Sequence, residues 1–254
     1  MKQVKAELIE SGRSGEEYVI HRYRSPEIAQ KAEPGQFVHI KVSHSIHPVL
    51  RRPISILDAS GDEFRILFKI VGEGTQILSR AKTEELVDMI GPVGNAFPLE
   101  NKPAVMIAGG IGVAPLVFLS SELRRQKRKI VFFYGARSKR DIVMTDEISA
   151  HVDELHIATE DGSIGEKGLI TDFADNFLTG ENTIYACGPE PMLRALQTRL
   201  EQKDIRAWFS LENKMACGVG ACQGCVVKTS QGHQRVCIDG PVFSSNKIKE
   251  FPNL

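Results

Sequence analysis

Short stretches in which apolar and polar residues alternate fill the first hundred positions of the chain and predict β-strands. Gly, Pro, Asp and Ser separate these stretches, which are rich in Val, Ile and Phe. Six strands at this spacing indicate an antiparallel barrel or sandwich. The predicted strands are QVKAELIES, EYVIHRYRS, QFVHIKV, PISILDA, EFRILFKIVG and ELVDMIGPV. One helical stretch, GTQILSRA, interrupts them, and we expect Thr75 to cap its N-terminus.

The pattern changes near residue 101, where apolar runs begin to alternate with helical stretches. Such an alternation predicts a parallel sheet that is covered by helices on both faces. The predicted strands are AVMIAGG, KIVFFYGAR, ELHIATE, NTIYACG and RAWFSLE, and the predicted helices are VAPLVFLSSELRRQKR, LITDFADNF and EPMLRALQTRLEQK. Residues 212–254 lack this rhythm and form a third, small module. We therefore expect a multidomain protein of all-β and α/β parts, divided at 1–100, 101–211 and 212–254.

Composition and charge narrow the range of partners. The 254 residues include 32 basic and 32 acidic side chains, so no overall field favours nucleic acid or an anionic membrane. The N-terminal MKQVKAELIE has no apolar segment of the kind that signal peptides carry. Glycine and proline interrupt the longest apolar stretch, AVMIAGGIGVAPLVFL, which fits a buried strand, turn and helix better than a membrane span. We expect a cytoplasmic protein that binds neither nucleic acid nor membrane.

Four of the five cysteines lie within residues 217–237, in the spacing C-x4-C-x2-C-x11-C. Cytoplasmic thiols stay reduced, which disfavours disulfides. The spacing is typical of plant-type [2Fe–2S] sites. Structural zinc sites more often use two separated cysteine pairs or a mixture of Cys and His, and zinc remains the alternative. The glycines at 218, 220 and 224 suit a loop that wraps closely around a cluster, and His233 is interpreted as a surface loop residue.

Two motifs in the strand-rich part suggest phosphate binding. In RRPISI, residues 51–56, an arginine and a serine hydroxyl can hold a phosphate, although Arg-Pro is also common at edge strands. In FKIVGEGTQIL, residues 68–78, Gly72 and Gly74 precede a helix whose N–H groups favour a pyrophosphate, with Lys69 beside them. The alternative for the second motif is an ordinary turn between a strand and a helix.

Two further motifs follow predicted strands of the parallel sheet. In AGGIGVAPL, glycines 109, 110 and 112 permit close approach of a diphosphate, but a third fingerprint glycine is missing and Pro115 stands in the first helical turn. The alternative is a tight turn. In YACGPEPML, Cys187 ends a strand where parallel sheets bind ligands, and its small thiol leaves room for a flat ring. The alternative is a buried cysteine that acts as a small hydrophobe.

The order of these motifs along one chain resembles a known family. The barrel, RPIS, GEGT, the parallel sheet, GGIGVAPL and CGPEPM resemble the ferredoxin–NADP reductase-like flavoproteins across residues 1 to about 211. With SLENKMACGVGACQGCVVK and RVCIDGPVF added, the chain is similar to the electron-transfer subunits of NAD-dependent dihydroorotate dehydrogenases. The resemblance implies a FAD-binding barrel at 1–100, an NAD-binding α/β domain at 101–211 and a [2Fe–2S] module at 212–254.

The resemblance also implies the site residues. The FAD contacts would be Arg52, Pro53, Ile54, Ser55, Lys69, Ile70, Val71, Gly74 and Thr75. The NAD contacts would be Gly109, Gly110, Gly112, Cys187 and Gly188. The cluster ligands would be Cys217, Cys222, Cys225 and Cys237. The chain departs from the wider family at Ile54, where Tyr is frequent, and in continuing beyond the point where many members end in an aromatic residue.

The function implied by the resemblance is electron transfer in pyrimidine biosynthesis. Dihydroorotate would be oxidised at FMN in a separate catalytic subunit, and electrons would pass through [2Fe–2S] and FAD to NAD+. We expect no catalytic acid or base in this chain, and the family implies a heterotetramer of two subunits of each kind. One alternative is an NAD(P)H-dependent reductase subunit serving ferredoxin, sulfur or a hydrogenase. A more distant one is a zinc-stabilised binding module without a redox role.

The basic stretch YGARSKRD bears on the choice between NAD and NADP. Arg137, Lys139 and Arg140 follow a predicted strand, where a 2′-phosphate can bind. The alternative is a solvated basic loop, and NAD is the nucleotide that the resemblance implies.

Overall fold

Six antiparallel strands close into a barrel in the order β1-β2-β5-β4-β3-β6. The computed structural model describes residues 1–43 and 47–252, so positions 44–46 of the first predicted unit and 253–254 of the third lie outside it. The strands are β1 (Lys2–Arg13), β2 (Tyr18–Arg24), β3 (Phe37–Ile40), β4 (Arg52–Ser60), β5 (Glu63–Lys69) and β6 (Leu86–Val93). All six predicted strands are confirmed, and closure leaves the barrel without free edges.

Two short helices accompany the barrel. The sequence pattern did not predict α1 (Pro26–Ala29), which is a single turn. Helix α2 (Glu73–Leu78) confirms the predicted helical stretch, but its N-cap is Gly72. The expectation that Thr75 caps this helix is therefore wrong. Its hydroxyl lies inside the first turn, where it accepts hydrogen bonds from the N–H groups of Val71, at 3.0 Å, and Gly72, at 3.2 Å.

The second part of the chain forms a seven-stranded sheet in the order β10-β9-β8-β7-β11-β12-β15. Its strands are β7 (Ala104–Gly109), β8 (Ile130–Ala136), β9 (Glu154–Thr159), β10 (Glu166–Lys167), β11 (Thr183–Cys187), β12 (Ala207–Ser210) and β15 (Val242–Ser244). The pairs are parallel except for β12 with β15. The five predicted strands are confirmed, whereas β10 and the antiparallel edge strand β15 were not predicted.

Helices cover both faces of this sheet, as the alternating pattern predicts. They are α3 (Val113–Arg125), α4 (Thr145–His151), α5 (Ile170–Ala174) and α6 (Glu190–Gln202). On one face, α3 and Ile148 of α4 share a core with Met106 and Tyr134. On the other, α5 and α6 cover Ile107 and Phe133. Because successive residues of a strand face opposite sides, both faces of the central strands must be apolar.

The last part of the chain packs closely against the large sheet and the barrel. A small sheet of order β14-β13-β16 contains β13 (Val226–Thr229), β14 (Gly232–Arg235) and β16 (Ile248–Glu250). Val227, Val236 and Phe243 belong to the same core as the α6 side of the large sheet, and that core also takes in Phe37 and Val93 of the barrel. Strand β15, from the predicted third unit, completes the large sheet. The division at 100 and 211 remains a prediction about function rather than about separate cores.

Candidate functional site

The two adjacent arginines of the RRPISI motif have different surroundings. Arg51 is held by Asp88: its guanidinium donates to the carboxylate at 2.8 Å and to the backbone carbonyl at 3.0 Å. Arg52 makes no ion pair among the described residues; it donates to the carbonyl of Leu50 and lies over Gly74, where a Cβ atom would overlap its guanidinium. Arg52 is therefore the arginine of this motif that is available to a ligand, and the α2 glycine gives it room.

The structure brings the two phosphate-binding motifs together through this contact. The other predicted flavin contacts follow the same elements: Pro53, Ile54 and Ser55 lie in β4, Ile70 and Val71 come directly after β5, and Thr75 lies in α2. Ile54 packs against the barrel core, and Thr75 is buried in the first turn of α2. The start of β4 and the end of β5 thus bring a guanidinium next to the first turn of α2 on one side of the barrel.

Lys69 has protein partners of its own. Its ammonium group donates to Asp141 at 2.6 Å and forms an ion pair with Glu17 at 3.2 Å, and the hydroxyl of Tyr18 donates to the same Asp141 oxygen at 3.0 Å. Partial burial alone would lower the pKa of Lys69, but these hydrogen bonds outweigh it and the pKa is raised. Burial would likewise raise the pKa of Asp141, yet the bonds from Lys69 and Tyr18 hold it below its ordinary value. This network joins the barrel to the loop after β8.

The three glycines after β7 have different structural roles. A Cβ atom at Gly112 would overlap the carbonyl of Cys187, and one at Gly109 would lie 3.4 Å from the Cα of Gly188. These two glycines allow the loop after β7 to pack against the loop after β11. Gly110 faces open space and has a φ of +51°, so of the three it is the one with room for a ligand. The predicted nucleotide loops are therefore in contact, at the carboxyl ends of neighbouring strands.

Cys187 is buried at the end of β11, opposite Ser210 of β12. Burial raises the pKa of its thiol, the negative charge of Glu212 adds to this, and the hydrogen bond with Ser210 opposes it. The thiol is therefore neutral and unreactive at ordinary pH. Sequence reasoning did not single out Glu212, although its place directly after a parallel strand was a usable signal.

The four clustered cysteines occupy one loop and the hairpin that follows it. Cys217 and Cys222 lie in the loop, Cys225 precedes β13, and Cys237 follows β14. Cys225 and Cys237 are buried, while Cys222 is exposed. The N–H of Cys222 donates to the sulfur of Cys217 at 3.4 Å, and the N–H of Cys237 donates to the sulfur of Cys225 at 3.5 Å. The thiols thus associate as two neighbouring pairs.

Backbone N–H groups turn towards these sulfurs. Val219 donates to Cys217 and Gly224 donates to Cys222, each at 3.4 Å. Burial alone would raise the pKa of the Cys217 thiol, but the N–H groups of Val219 and Cys222 outweigh it and lower the pKa to about 6. N–H donors that stabilise thiolate charge are what an iron–sulfur cluster requires. Within 1–43 and 47–252, no three His, Cys, Asp or Glu side chains converge as ligands of a single metal ion.

Positive φ angles and close contacts fix the shape of the cysteine loop. Gly218 and Gly220 have φ angles of +67° and +78°, which side chains rarely adopt, whereas Gly224 serves only as a donor. A Cβ atom at Gly218 would overlap the ring of His39 on β3. Arg235 donates to the carbonyl of Gly220 at 3.2 Å and is itself held by Asp239 at 3.0 Å. His233 is exposed, as expected, but it lies on strand β14 and not in a loop.

His39 and Asp141 are two further functional candidates that sequence reasoning missed. His39 is fully buried between the barrel and the cysteine loop, and neither of its ring nitrogens has a hydrogen-bond partner. Burial, reinforced by the positive charge of Arg51, lowers its pKa to about 4, so the ring is neutral. A histidine inside an alternating strand carries no signal of its own, and only the folded chain shows what it contacts.

Comparison with known proteins agrees with this architecture. Residues 212–249 match the iron–sulfur cluster binding domain of dihydroorotate dehydrogenase B, and residues 106–198 match the oxidoreductase NAD-binding domain. Over 232 residues the chain is 43% identical to the dihydroorotate dehydrogenase B (NAD(+)) electron transfer subunit of Bacillus cereus strain B4264, covering 87% of this chain and 88% of that protein. The chain belongs to this family.

Other members of the dihydroorotate dehydrogenase B electron transfer subunit family are about as similar. The protein of the same name from Bacillus anthracis is 42% identical over the same shares of both chains. The predicted resemblance is thus confirmed, and the cysteine-rich segment is an iron–sulfur region rather than a zinc module. The chain is a component of an oxidoreductase, and its sheet domain is of the NAD-binding type.

Solved structures of the same fold extend the comparison. A chain of the NADH-dependent reduced ferredoxin–NADP oxidoreductase superposes with a TM-score of 0.85 at 29% identity, covering 96% of this chain and 89% of that one. The cytochrome b5 reductase domain of Ulva prolifera nitrate reductase has a TM-score of 0.68 at 21% identity, covering 80% and 94%, and shows the fold alone. The predicted ferredoxin reductase-like fold is confirmed. Across the part of the chain that the structure describes, no helix has the length and apolar character to cross a membrane.

Proposed function

We propose that this subunit carries electrons between the catalytic subunit of a dihydroorotate dehydrogenase and NAD+, by way of [2Fe–2S] and FAD. Membership of the electron transfer subunit family supports the reaction. The observation that carries the proposal is structural: the loop that holds Cys217 packs through Gly218 against β3 of the barrel, and β3 pairs with the RPIS segment of β4. The proposed one-electron and two-electron sites therefore lie on neighbouring segments of the fold.

The FAD site is proposed at the start of β4 and the end of β5. Arg52 would bind the phosphates, because its guanidinium is not used by an acidic side chain of the described residues and lies at the N-terminal turn of α2. Pro53, Ile54 and Ser55 would border the flavin along β4, and the turn around Gly74 and Thr75 would supply N–H groups. Bound FAD supplies a carrier that exchanges electrons in pairs with a nicotinamide and singly with a cluster.

Lys69 would act in this site mainly through position. Its ammonium group is held by Asp141 and Glu17, so we propose that it orders the chain at Ile70 and Val71 and links the flavin side of the barrel to the sheet domain. Its positive charge stays close to the proposed phosphate site.

The nicotinamide nucleotide is proposed to bind where the loops after β7 and β11 meet. Gly110 has open space for a diphosphate, while Gly109 and Gly112 let the two loops touch. Gly188 keeps the second loop free of a side chain beside the neutral thiol of Cys187. Ligands in parallel sheets bind at this end of the strands, which supports the assignment.

The cluster is proposed to be held by Cys217, Cys222, Cys225 and Cys237. Bound [2Fe–2S] supplies a carrier for single electrons. The fit rests on the two cysteine pairs and on the four N–H groups that already donate to their sulfurs. Cys225 and Cys237 would shield the inner side of the cluster from water, since both are buried.

The partner is proposed to dock on the exposed rim of the cysteine loop. Cys222 is exposed there, as are the apolar side chains of Val219 and Ile238. An apolar rim beside a redox centre suits docking of another subunit. We propose an FMN-containing catalytic subunit as this partner, in an assembly of two subunits of each kind in the cytoplasm.

Anaerobic co-expression with the candidate catalytic subunit tests the proposal. The purified complex should contain FMN, FAD and two iron atoms for each copy of this chain. In stopped-flow measurements, dihydroorotate and NADH should each reduce both flavins, and oxidation of dihydroorotate should produce NADH. Co-purification with a ferredoxin-dependent or hydrogenase subunit, and no flavin reduction by dihydroorotate, would favour the reductase alternative that the superposed ferredoxin–NADP oxidoreductase suggests.

A further inference from the structure

His39 lies on the same sheet face as two of the proposed flavin contacts. In the barrel, β3 pairs with β4 so that His39 is opposite Pro53 and Phe37 is opposite Ser55. Residues that face each other across an antiparallel pair project to the same side. The imidazole therefore leaves the barrel wall on the side of Pro53 and Ser55, while its neighbours Val38 and Ile40 belong to the barrel core.

On that side the imidazole meets the cysteine loop. A Cβ atom at Gly218 would overlap Nδ1 of His39 and would come within 2.9 Å of Cγ and Cε1. Gly218 directly follows Cys217, so the ring is next to a proposed cluster ligand. Behind the ring, Arg51 donates to the backbone carbonyl of His39 at 3.4 Å. The side chain is thus clamped between the barrel and the loop.

The imidazole has no partner for either nitrogen. His39 is 0% exposed, and both Nδ1 and Nε2 lack a hydrogen bond. A buried polar group without a hydrogen bond destabilises the fold. Another fully buried barrel histidine, His21, bonds to the Tyr23 hydroxyl at 2.9 Å through Nδ1 and packs against Phe68, so only its Nε2 lacks a hydrogen bond. The backbone of Cys217 and of Arg51 approaches the His39 ring, but no acceptor of the described residues meets hydrogen-bonding geometry at either nitrogen, so the ring N–H has no well-placed partner within the described chain.

We propose that His39 is a positioning residue for the iron–sulfur cluster: its ring N–H donates a hydrogen bond to the sulfur of the cluster on the side of Cys217. An imidazole carries at least one N–H in either protonation state, and hydrogen bonds to sulfur stabilise the reduced, more negative cluster and raise its potential. The residue thereby tunes the step between the flavin and the cluster without touching a substrate. This inference rests on the cluster ligands of the proposed function.

Replacement of the ring tests the inference in the full-length chain, purified anaerobically with its catalytic partner. His39→Leu should keep iron and FAD contents near those of the native protein but shift the cluster midpoint potential downwards in an EPR-monitored redox titration. His39→Asn and His39→Gln restore an N–H near the positions of Nδ1 and Nε2, and one of them should bring the potential back towards the native value. His21→Leu is the matched control, because it also removes a buried barrel imidazole but should leave the potential unchanged.

A measurement on the native protein covers the case in which His39→Leu fails to fold. With 15N-labelled histidine, pulsed EPR of the reduced cluster should detect a weakly coupled ring nitrogen, and His39→Gln should remove that signal. A native potential in His39→Leu, an equal shift in His21→Leu, a shift confined to the flavin, or no histidine coupling would each overturn the inference. Absence of any [2Fe–2S] signal from the native protein would instead contradict the proposed cluster itself.

Discussion

At the scale of single residues, the two neighbouring arginines show how the fold divides roles. Arg51 forms an ion pair with Asp88, whereas Arg52 lies over Gly74 and has no acidic partner among the described residues. The sequence RRPISI alone does not distinguish them, because both have the same side chain and the same local composition. Their positions do: Arg52 is the first residue of β4 and Arg51 directly precedes it, and successive residues of an extended chain project to opposite sides.

Replacement of Arg52 should therefore weaken FAD binding. Arg52→Ala removes the guanidinium proposed to bind the phosphates, and loss of one charged hydrogen-bonding partner costs about 1.5–3 kcal/mol, or roughly 10-fold to 150-fold in affinity. The measurement is FAD release on dilution, followed by flavin fluorescence. Arg52→Lys should recover part of the affinity. Full FAD occupancy of Arg52→Ala at nanomolar protein would contradict the assignment.

Cys222 gives the corresponding prediction for the cluster. Cys222→Ser should lose most of the bound iron and the transfer of electrons from NADH to the partner, while reduction of FAD by NADH persists, because the proposed flavin and nicotinamide contacts lie elsewhere. Iron content and stopped-flow spectra measure both effects. Cys187→Ser is the matched substitution: it should keep its iron and change nicotinamide affinity instead. Equal loss of FAD and iron in Cys222→Ser would show that the sites are not separable.

At the scale of elements, helix α2 contributes Gly74, which leaves space for the guanidinium of Arg52. Gly74→Ala should weaken FAD binding almost as much as Arg52→Ala, because the new methyl group would occupy the place of the guanidinium. Gly72→Ala is the control, since nothing lies within 4 Å of a Cβ atom there and its φ of −174° is open to any residue. FAD dissociation constants of the two variants decide the point. Equal FAD dissociation constants for the two variants would mean that Arg52 does not need the space beside Gly74.

The sequence predicted those elements in which apolar residues recur with a clear period. The six barrel strands alternate, and strands such as β7 are apolar on both faces because helices cover both. The missed elements are short or lack signals: α1 is one turn, α4 starts after the left-handed Met144 without a side-chain cap, and β15 has three residues. The cluster cysteines were predicted because metal ligands depend on spacing. The role of His39 was not, because it depends on a contact between distant segments.

At the scale of the whole molecule, Asp141 locks the barrel to the sheet domain. Its carboxylate takes hydrogen bonds from Lys69 and Tyr18, both of the barrel, and its side chain is only 9% exposed. Because Lys69 is itself partly exposed, we place the cost of removing the pair between those of exposed and buried ion pairs. Tyr18→Phe would remove only the weaker of the two bonds and serves as a graded comparison.

Asp141→Asn should destabilise the folded chain by about 1–3 kcal/mol at pH 7. The folded pKa of Asp141 lies below its ordinary value of 3.8, so the native carboxylate contributes stability above that pH and loses it as the pH falls through the folded pKa. The difference between native and variant proteins in urea unfolding should accordingly be constant from about pH 5 to 8 and shrink at lower pH. A difference that grew on acidification would contradict this account.

Strand β15 and its neighbour Asn95 give the whole molecule one more property. The Asn95 amide bonds to both the N–H and the carbonyl of Val242 at 2.9 Å, and Gln197 of α6 holds the carbonyls of Ser245, at 2.8 Å, and Ile248, at 2.9 Å. The segment that carries the cysteines is thereby tied to the end of the barrel through Asn95 and to α6 through Gln197. The distance between the proposed flavin and cluster sites should therefore stay constant. Electron transfer between them should not depend on a domain movement. Raising the solvent viscosity with glycerol should leave the rate of electron transfer between flavin and cluster unchanged.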